Sequence, residues 1–447
     1  MLVAAATLLA PASRVTAAGV PNDPDSVVHA LNRLTFGPRP GDVDRVQRTG
    51  LSEWIDQQLN PRRLDDAALE RRLPQPPAEA PRFDSPQEAR RAARDAIGDL
   101  ASAKLLRAAY SERQLEEVLV DFWFNHFNVF AGKGRTAIYL PEYEREAIRP
   151  FVLGRFRDLL GATAQHPAML FYLDNWLSVD PDAAARQTGR RPAAASQPAP
   201  QRRRKGLNEN YARELLELHT LGVDGGYSQK DVVDVARAFT GWTIGPEGLP
   251  RRSTPTQAPA EAGFRFARAL HDDGAKVVLG ETIKAGGGVE DGERVLDIVA
   301  RHPSTARHIA TKLARRFVSD EPPEALVARA AARFRETDGD LREVVRAIVT
   351  SPEFFAAEAR NAKVKTPLEF VVSAVRATGA DMPKPQVMAR GLRELGMPLY
   401  MCQPPTGYDD TAAAWISSGA LVARINLAQQ IAGDRAALVS APAFQRR

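Results

Sequence analysis

The segment Gln114-Leu-Glu-Glu-Val-Leu-Val-Asp-Phe-Trp-Phe-Asn-His-Phe-Asn-Val-Phe130 decides how the chain folds. On a helix turning about 100° per residue, Leu115, Leu119, Phe122 and Val129 share one face, and Val120, Phe124 and Phe127 cover the opposite side. A helix that is apolar all round belongs in an interior. His126 falls in the middle of the first face with Asn125 beside it, so both are expected inside. A buried imidazole or amide without a partner costs on the order of 1–3 kcal/mol, so each must find one.

A second helix, Asn208 to Leu221, repeats the pattern. Tyr211, Ala212, Leu215, Leu216 and Leu218 form an apolar arc that contains His219. Glu209, Arg213 and Glu217 run along one edge as an i, i+4 ladder, and Asn210 and Glu214 lie on the other. Two helices thus each present a core-facing histidine, one of them with carboxylates nearby. The expected site joins His126, His219 and Glu214 as catalytic candidates, with Asn125, Asn208, Asn210, Arg213, His271 and Asp272 as candidate substrate contacts. A His/Glu set of this kind suits either a divalent metal on His126, His219 and Glu214 or general acid–base work near neutrality. Plainer readings stand beside these. Asn208 suits a helix N-cap, the ladder suits a solvated salt network, and either histidine suits a hydrogen-bonded core position. The H-E-x-x-H pattern that places two metal ligands on one helical face is missing.

Helix signals recur along the rest of the chain. Asp340-Gly-Asp-Leu-Arg-Glu, Ser351-Pro-Glu, Thr366-Pro-Leu-Glu and Ser228-Gln-Lys-Asp each open with a capping residue. His166-Pro167 and His302-Pro303 read as helix starts, since proline suits the first turn. Phe264 to Gly280 alternates as a short hairpin with its turn near Asp272-Asp273-Gly274, where His271 is expected to be exposed. His308, Lys312, Arg315 and Arg316 lie on a basic amphipathic helix, read as solvated or paired with acids elsewhere. The fold class is therefore mainly α: one large multi-helical unit with a small β-hairpin excursion near residues 264–280. A last helix is expected from Ala412 to Ile431, after the Pro404-Pro405-Thr406-Gly407-Tyr408 loop.

Composition narrows the function. The chain has 447 residues, 44% hydrophobic and 26% charged, as in globular proteins. Its single cysteine, Cys402, excludes an internal disulfide framework and any multi-cysteine zinc site. The net charge of +5 comes from one Pro/Ala-rich stretch, Ala185–Lys205, which carries seven basic residues and no acid; the remainder holds 53 basic against 55 acidic residues. Specific nucleic-acid binding is not expected, and the basic stretch reads as a disordered insertion over 181–206. Another loop spans 246–263. No apolar run is long enough to span a bilayer. Leu2–Ala10 followed by Thr16-Ala17-Ala18 reads as a signal peptide over residues 1–18, which makes the protein periplasmic or secreted. The helical domain then runs over 25–434, with a C-terminal tail at 435–447. Nucleophile-elbow, P-loop and dinucleotide-binding signatures are absent from the sequence.

Several stretches resemble a large bacterial family, domain of unknown function 1800. They are Ala30-Leu-Asn-Arg-Leu-Thr-Phe-Gly-Pro38, Asp121-Phe-Trp-Phe-Asn-His-Phe-Asn128, His166-Pro-Ala-Met-Leu-Phe-Tyr-Leu-Asp-Asn175 and Gly206 to Gly222. Ala236-Arg-Ala-Phe-Thr-Gly-Trp242, His271-Asp-Asp-Gly-Ala-Lys276, Thr311-Lys-Leu-Ala-Arg-Arg-Phe-Val318 and the Pro404-Pro405 loop continue it. The resemblance spans roughly residues 27–430. It implies an exported protein that accompanies a second family resembling sulfatase-type hydrolases, and carries no activity or cofactor with it. Three expectations follow: a metal-assisted hydrolase, a non-catalytic envelope protein partnering a co-secreted sulfatase-like hydrolase, or a binder of haem or another cofactor. Oligomeric state is left open.

Overall fold

The computed structural model describes residues 19–74, 85–181, 206–245, 263–379 and 381–447. The expected leader, nearly all of the basic insertion and the 246–263 loop short of Gly263 lie outside these residues. The architecture is mainly α, with two small two-stranded antiparallel sheets. No described helix is long and apolar enough to cross a membrane.

Helix Gln114–His126 runs through the main core. Leu115, Leu119, Trp123 and Phe127 are fully shielded, as expected of a helix with no polar face. The sequence-read caps hold. Asp340, Ser351 and Thr366 accept main-chain hydrogen bonds from the first turns of their helices, and Ser228 and Asp231 form a capping box. His166 and His302 cap through their rings, each Nδ1 accepting from the N–H two residues on.

The second key helix departs from regular geometry. Its α-helical part, Glu209–Glu214, passes into a π-helical turn at Leu215–Thr220. Leu221 N–H donates to Leu216 O at 2.8 Å, and the Thr220 hydroxyl donates to Leu215 O at 2.6 Å. The extra residue in the turn alters the phase assumed at 100° per residue, yet His219 still faces inward, 3% exposed. The C-terminal helix is likewise broken, into Ala412–Trp415 and Ser418–Ala432.

The small β excursion falls in the expected region with different pairing. β2 (Phe264–Phe266) pairs back to β1 (Trp242–Ile244), and β3 (Lys276–Val278) pairs forward to β4 (Glu281–Ile283). The Asp272-Asp273-Gly274 turn therefore connects two sheets. Arg237 accounts for this, since its guanidinium grips Asp272 at 2.7 Å and ties the turn to helix Gln229–Ala238. Residues 435–447 fold back on the body. Arg447 exchanges main-chain hydrogen bonds with Lys363, and its side chain is 2% exposed.

Candidate functional site

Helix Gln114–His126, helix Pro303–Phe317 and the 406–410 loop enclose a cleft of about 380 Å3. Its chemistry comes from Asp121, Asn125, His126, Lys312, Arg316 and Asp410.

His126 is buried, and its ring lies 6.3 Å from that of His219 and 6.2 Å from that of His308, centroid to centroid. Its Nε2 donates to the main-chain oxygen of His219 at 3.1 Å; a carbonyl only accepts, so this contact fixes the tautomer. Among the described residues Nδ1 is then a buried acceptor without a partner, and the Nε2 atoms of His219 and His308 are also unpartnered. Burial is the main cause that holds all three imidazoles neutral, and the positive charge of Lys312 adds to it. The His219 pKa is lowered to about 3 and that of His308 to about 4.

Lys312 lies one helical turn beyond His308 and is partly buried. Burial lowers its pKa to about 8, with Asp410 opposing and Arg315 reinforcing the shift. Arg316, the next turn along, is 4% exposed and pairs with Glu369 at 2.8 Å and Asp410 at 3.5 Å. Asp121 is held by Lys104 at 2.7 Å. Asn125 spends its amide on the opposite wall, donating to Tyr408 O and accepting from Tyr408 N–H, both at 2.7 Å.

The expected site residues divide accordingly. His126 and His219 meet, but through a ring and a main-chain oxygen, and only His126 lines the cleft. Glu214 stays apart, half-buried, its carboxyl raised by burial and by the Glu217 charge. Asn208 is the helix N-cap, accepting from Tyr211 N–H at 3.1 Å and donating to Leu173 O at 2.6 Å. Asn210 is exposed, and Arg213 donates to Gln229 at 2.8 Å. His271 is not on an exposed turn. It is 2% exposed, with Nδ1 2.8 Å from Thr240 O and Nε2 3.1 Å from Asp291. The chain returning from β2 carries it under the Trp242 sheet, and Asp272 pairs with Arg237.

Sequence reasoning missed His308, Lys312 and Asp410. The i, i+4, i+8 spacing of His308, Lys312 and Arg316 was the available signal, and the basic face it marks turns inward at these positions. Arg316 does pair with acids elsewhere.

The donor set does not fit a divalent metal. Among the described residues no group of three or more His, Cys, Asp or Glu side chains gathers in a way that holds an ion. Nor do His126 and His219 bracket a haem iron, because the His126 Nε2 is committed to a carbonyl. Cys402 is buried with its thiol pushed up to about 11, the reverse of an activated nucleophile.

The matched pattern spans this whole arrangement: the family described as protein of unknown function (DUF1800) aligns with residues 29–446. The chain belongs to the DUF1800 family. No curated protein and no solved structure matches it. The DUF1800 match begins at His29 in helix Pro24–Leu34 and ends one residue short of the buried Arg447, so it covers every wall of the cleft.

Proposed function

We propose that this chain is an extracytoplasmic enzyme whose cleft carries out proton transfer on a small polar substrate, with hydrolysis as the reaction class. One observation carries the reading: the Lys312 amine stands in the cleft beside His126 and Asp410 with no side-chain hydrogen bond or ion pair among the described residues. An amine titrating near 8 is suited to take and return a proton near neutrality. In hydrolysis the neutral amine accepts a proton as water attacks, and the ammonium returns it to the leaving group. Arg316, fixed by Glu369, supplies a positive charge facing the same space. His219 acts indirectly, orienting His126 through its carbonyl. Export is supported by the apolar Leu2–Ala10 run and the small residues after it.

The test is hydrolysis of p-nitrophenyl acetate, phosphate and sulfate by the full chain and by Lys312→Met. The reading expects turnover of at least one ester, a rate that rises as pH passes about 8 and the amine loses its proton, and loss of that turnover in the variant. Turnover that survives the substitution, or none with any ester, sinks it.

A second reading, a partner of a co-secreted sulfatase-like hydrolase, draws support from apolar residues left outside on the C-terminal segment. Ile416, Val422 and Leu438 are each more than half exposed. Val422→Asp should abolish binding to that hydrolase and leave the helical signal unchanged. Undiminished binding would dispose of it.

A further inference from the structure

A second cavity, of about 250 Å3, lies away from the cleft. Asp25, Val28, His29 and Asn32 line it from one face of helix Pro24–Leu34, with Arg360, Asn361 and Arg447 opposite. Val28 and Asp25 stand exposed at its rim, while His29 and Arg447 are buried.

The ground beneath this cavity is unbalanced in charge. Arg33, one turn beyond His29, is fully buried, and Arg316, Lys363 and Arg447 are each under 5% exposed. The acids these groups touch are Glu369, Asp320 and Asp410, and only Glu369 is equally buried. Lys365 and Arg424 are as deeply buried, so the cations here outnumber the acids, and among the described residues Arg33 is in ion-pair contact with none of those acids. Its guanidinium donates to Ala359 O, while among the described residues its Nε and Nη1 have no acceptor. His29 offers no counter-charge, since burial and the Arg33 charge keep it neutral. A buried guanidinium with two unsatisfied donors calls for an anion close by. The cavity is the space where one fits. Asn32 and Asn361 bring amide groups to it, and Arg360 is bound there only loosely, at 3.6 Å from Asp25 and 3.4 Å from Ser26. Its volume falls below the roughly 300–1,000 Å3 of drug-sized pockets and suits a compact ion or a single anionic group.

We propose that this cavity binds a tetrahedral oxyanion, a phosphate or sulfate group, seated on Arg360, Asn32 and Asn361, with Arg33 and Arg447 supplying positive field from behind. Planar guanidinium groups favour such oxyanions. No lining residue is shared with the Lys312 cleft, so failure of either reading leaves the other standing.

The experiment titrates the full chain with inorganic phosphate and inorganic sulfate at constant ionic strength, with sodium chloride as control, following the melting temperature and the heat of binding. Saturable binding with Kd at or below about 1 mM is expected for at least one oxyanion, and none for chloride. Arg360→Gln should weaken it about tenfold. Arg33→Met gives an independent readout. If Arg33 serves the anion, the variant melts no lower than the parent in chloride and loses the oxyanion-induced rise. If Arg33 only props up Ala359, the variant melts lower under both conditions by the same amount, and the proposal fails. It fails equally if neither oxyanion binds, or if Arg360→Gln binds as tightly as the parent.

Discussion

The His126 ring points its Nε2 at the main-chain oxygen of His219, 3.1 Å away, with the two imidazoles 6.3 Å apart. The contact makes the second helix a support for the first. Two buried imidazoles and the half-buried His308 face one lysine, and the pH behaviour of the protein follows from that arrangement.

Stability should rise with pH between about 4 and 6.5 and level off above. His219 and His308 titrate near 3 and 4 in the folded chain against an ordinary 6.5, so the unfolded chain binds more protons throughout that interval. The contribution is complete above the unfolded value and is lost as pH falls below it. Each such histidine adds about 1.4 kcal/mol per pH unit to the slope. Urea unfolding from pH 4 to 8 checks this, and His308→Gln should reduce the slope by about one proton. A slope identical in parent and variant would show His308 to be solvated.

Lys312→Met should raise the pKa of all three imidazoles. The ammonium charge depresses each of them, and methionine keeps the bulk of the stem while removing it. Imidazole nitrogen shifts followed by NMR from pH 3 to 8 would register the change. Unmoved titrations would mean that Lys312 points away from the cluster.

Gly407→Ala should open the cleft wall. Gly407 sits at φ +74, and a Cβ there collides with the main-chain and side-chain oxygens of Asn125, the residue that clamps Tyr408. A loss on the order of 1–3 kcal/mol is expected, from backbone strain and the broken clamp. Trp415, whose indole N–H donates to Asp409 O at 2.8 Å, reports the loop by fluorescence. Parent-like melting and emission would contradict the clamp.

Fold class, caps and the inward turn of His126 and His219 were legible because they rest on local rules: apolar periodicity, side-chain oxygens before helices, and proline in first turns. Pairing of the short strands was not. Three residues per strand carry little register, and Arg237–Asp272, 35 positions apart, decided where the turn went. The candidate site was half legible. Periodicity brought His126 to the right face, but nothing local says that His308 and Lys312 turn toward it from 180 residues away, or that Asp410 closes the far side. Cations at i+4 spacing signal solvent in most helices, and here the stripe is buried because Glu369 and Asp410 meet its end.

Glu369→Gln tests that last point. The carboxylate has two jobs. Oε2 accepts from Thr366 N–H at 2.9 Å in the capping box, and Oε1 lies 2.8 Å from Arg316 and 3.0 Å from Arg447. Burial alone would raise its pKa; the arginines outweigh burial and lower it to about 2. A depressed acid contributes stability that is full above its unfolded value of 4.5 and fades as pH falls through 4.5 toward 2, worth about 3 kcal/mol for a shift of this size. Glutamine preserves the cap and removes the charge, so it should cost a comparable amount at pH 7, through two buried guanidiniums left with only the more distant Asp410. Adding Arg447→Met should restore part of the loss, since one uncompensated cation leaves with it. Urea unfolding of the parent, the single and the double variant separates the cases. A double variant less stable than the single would mean that Arg447 contributes packing rather than a balanced charge.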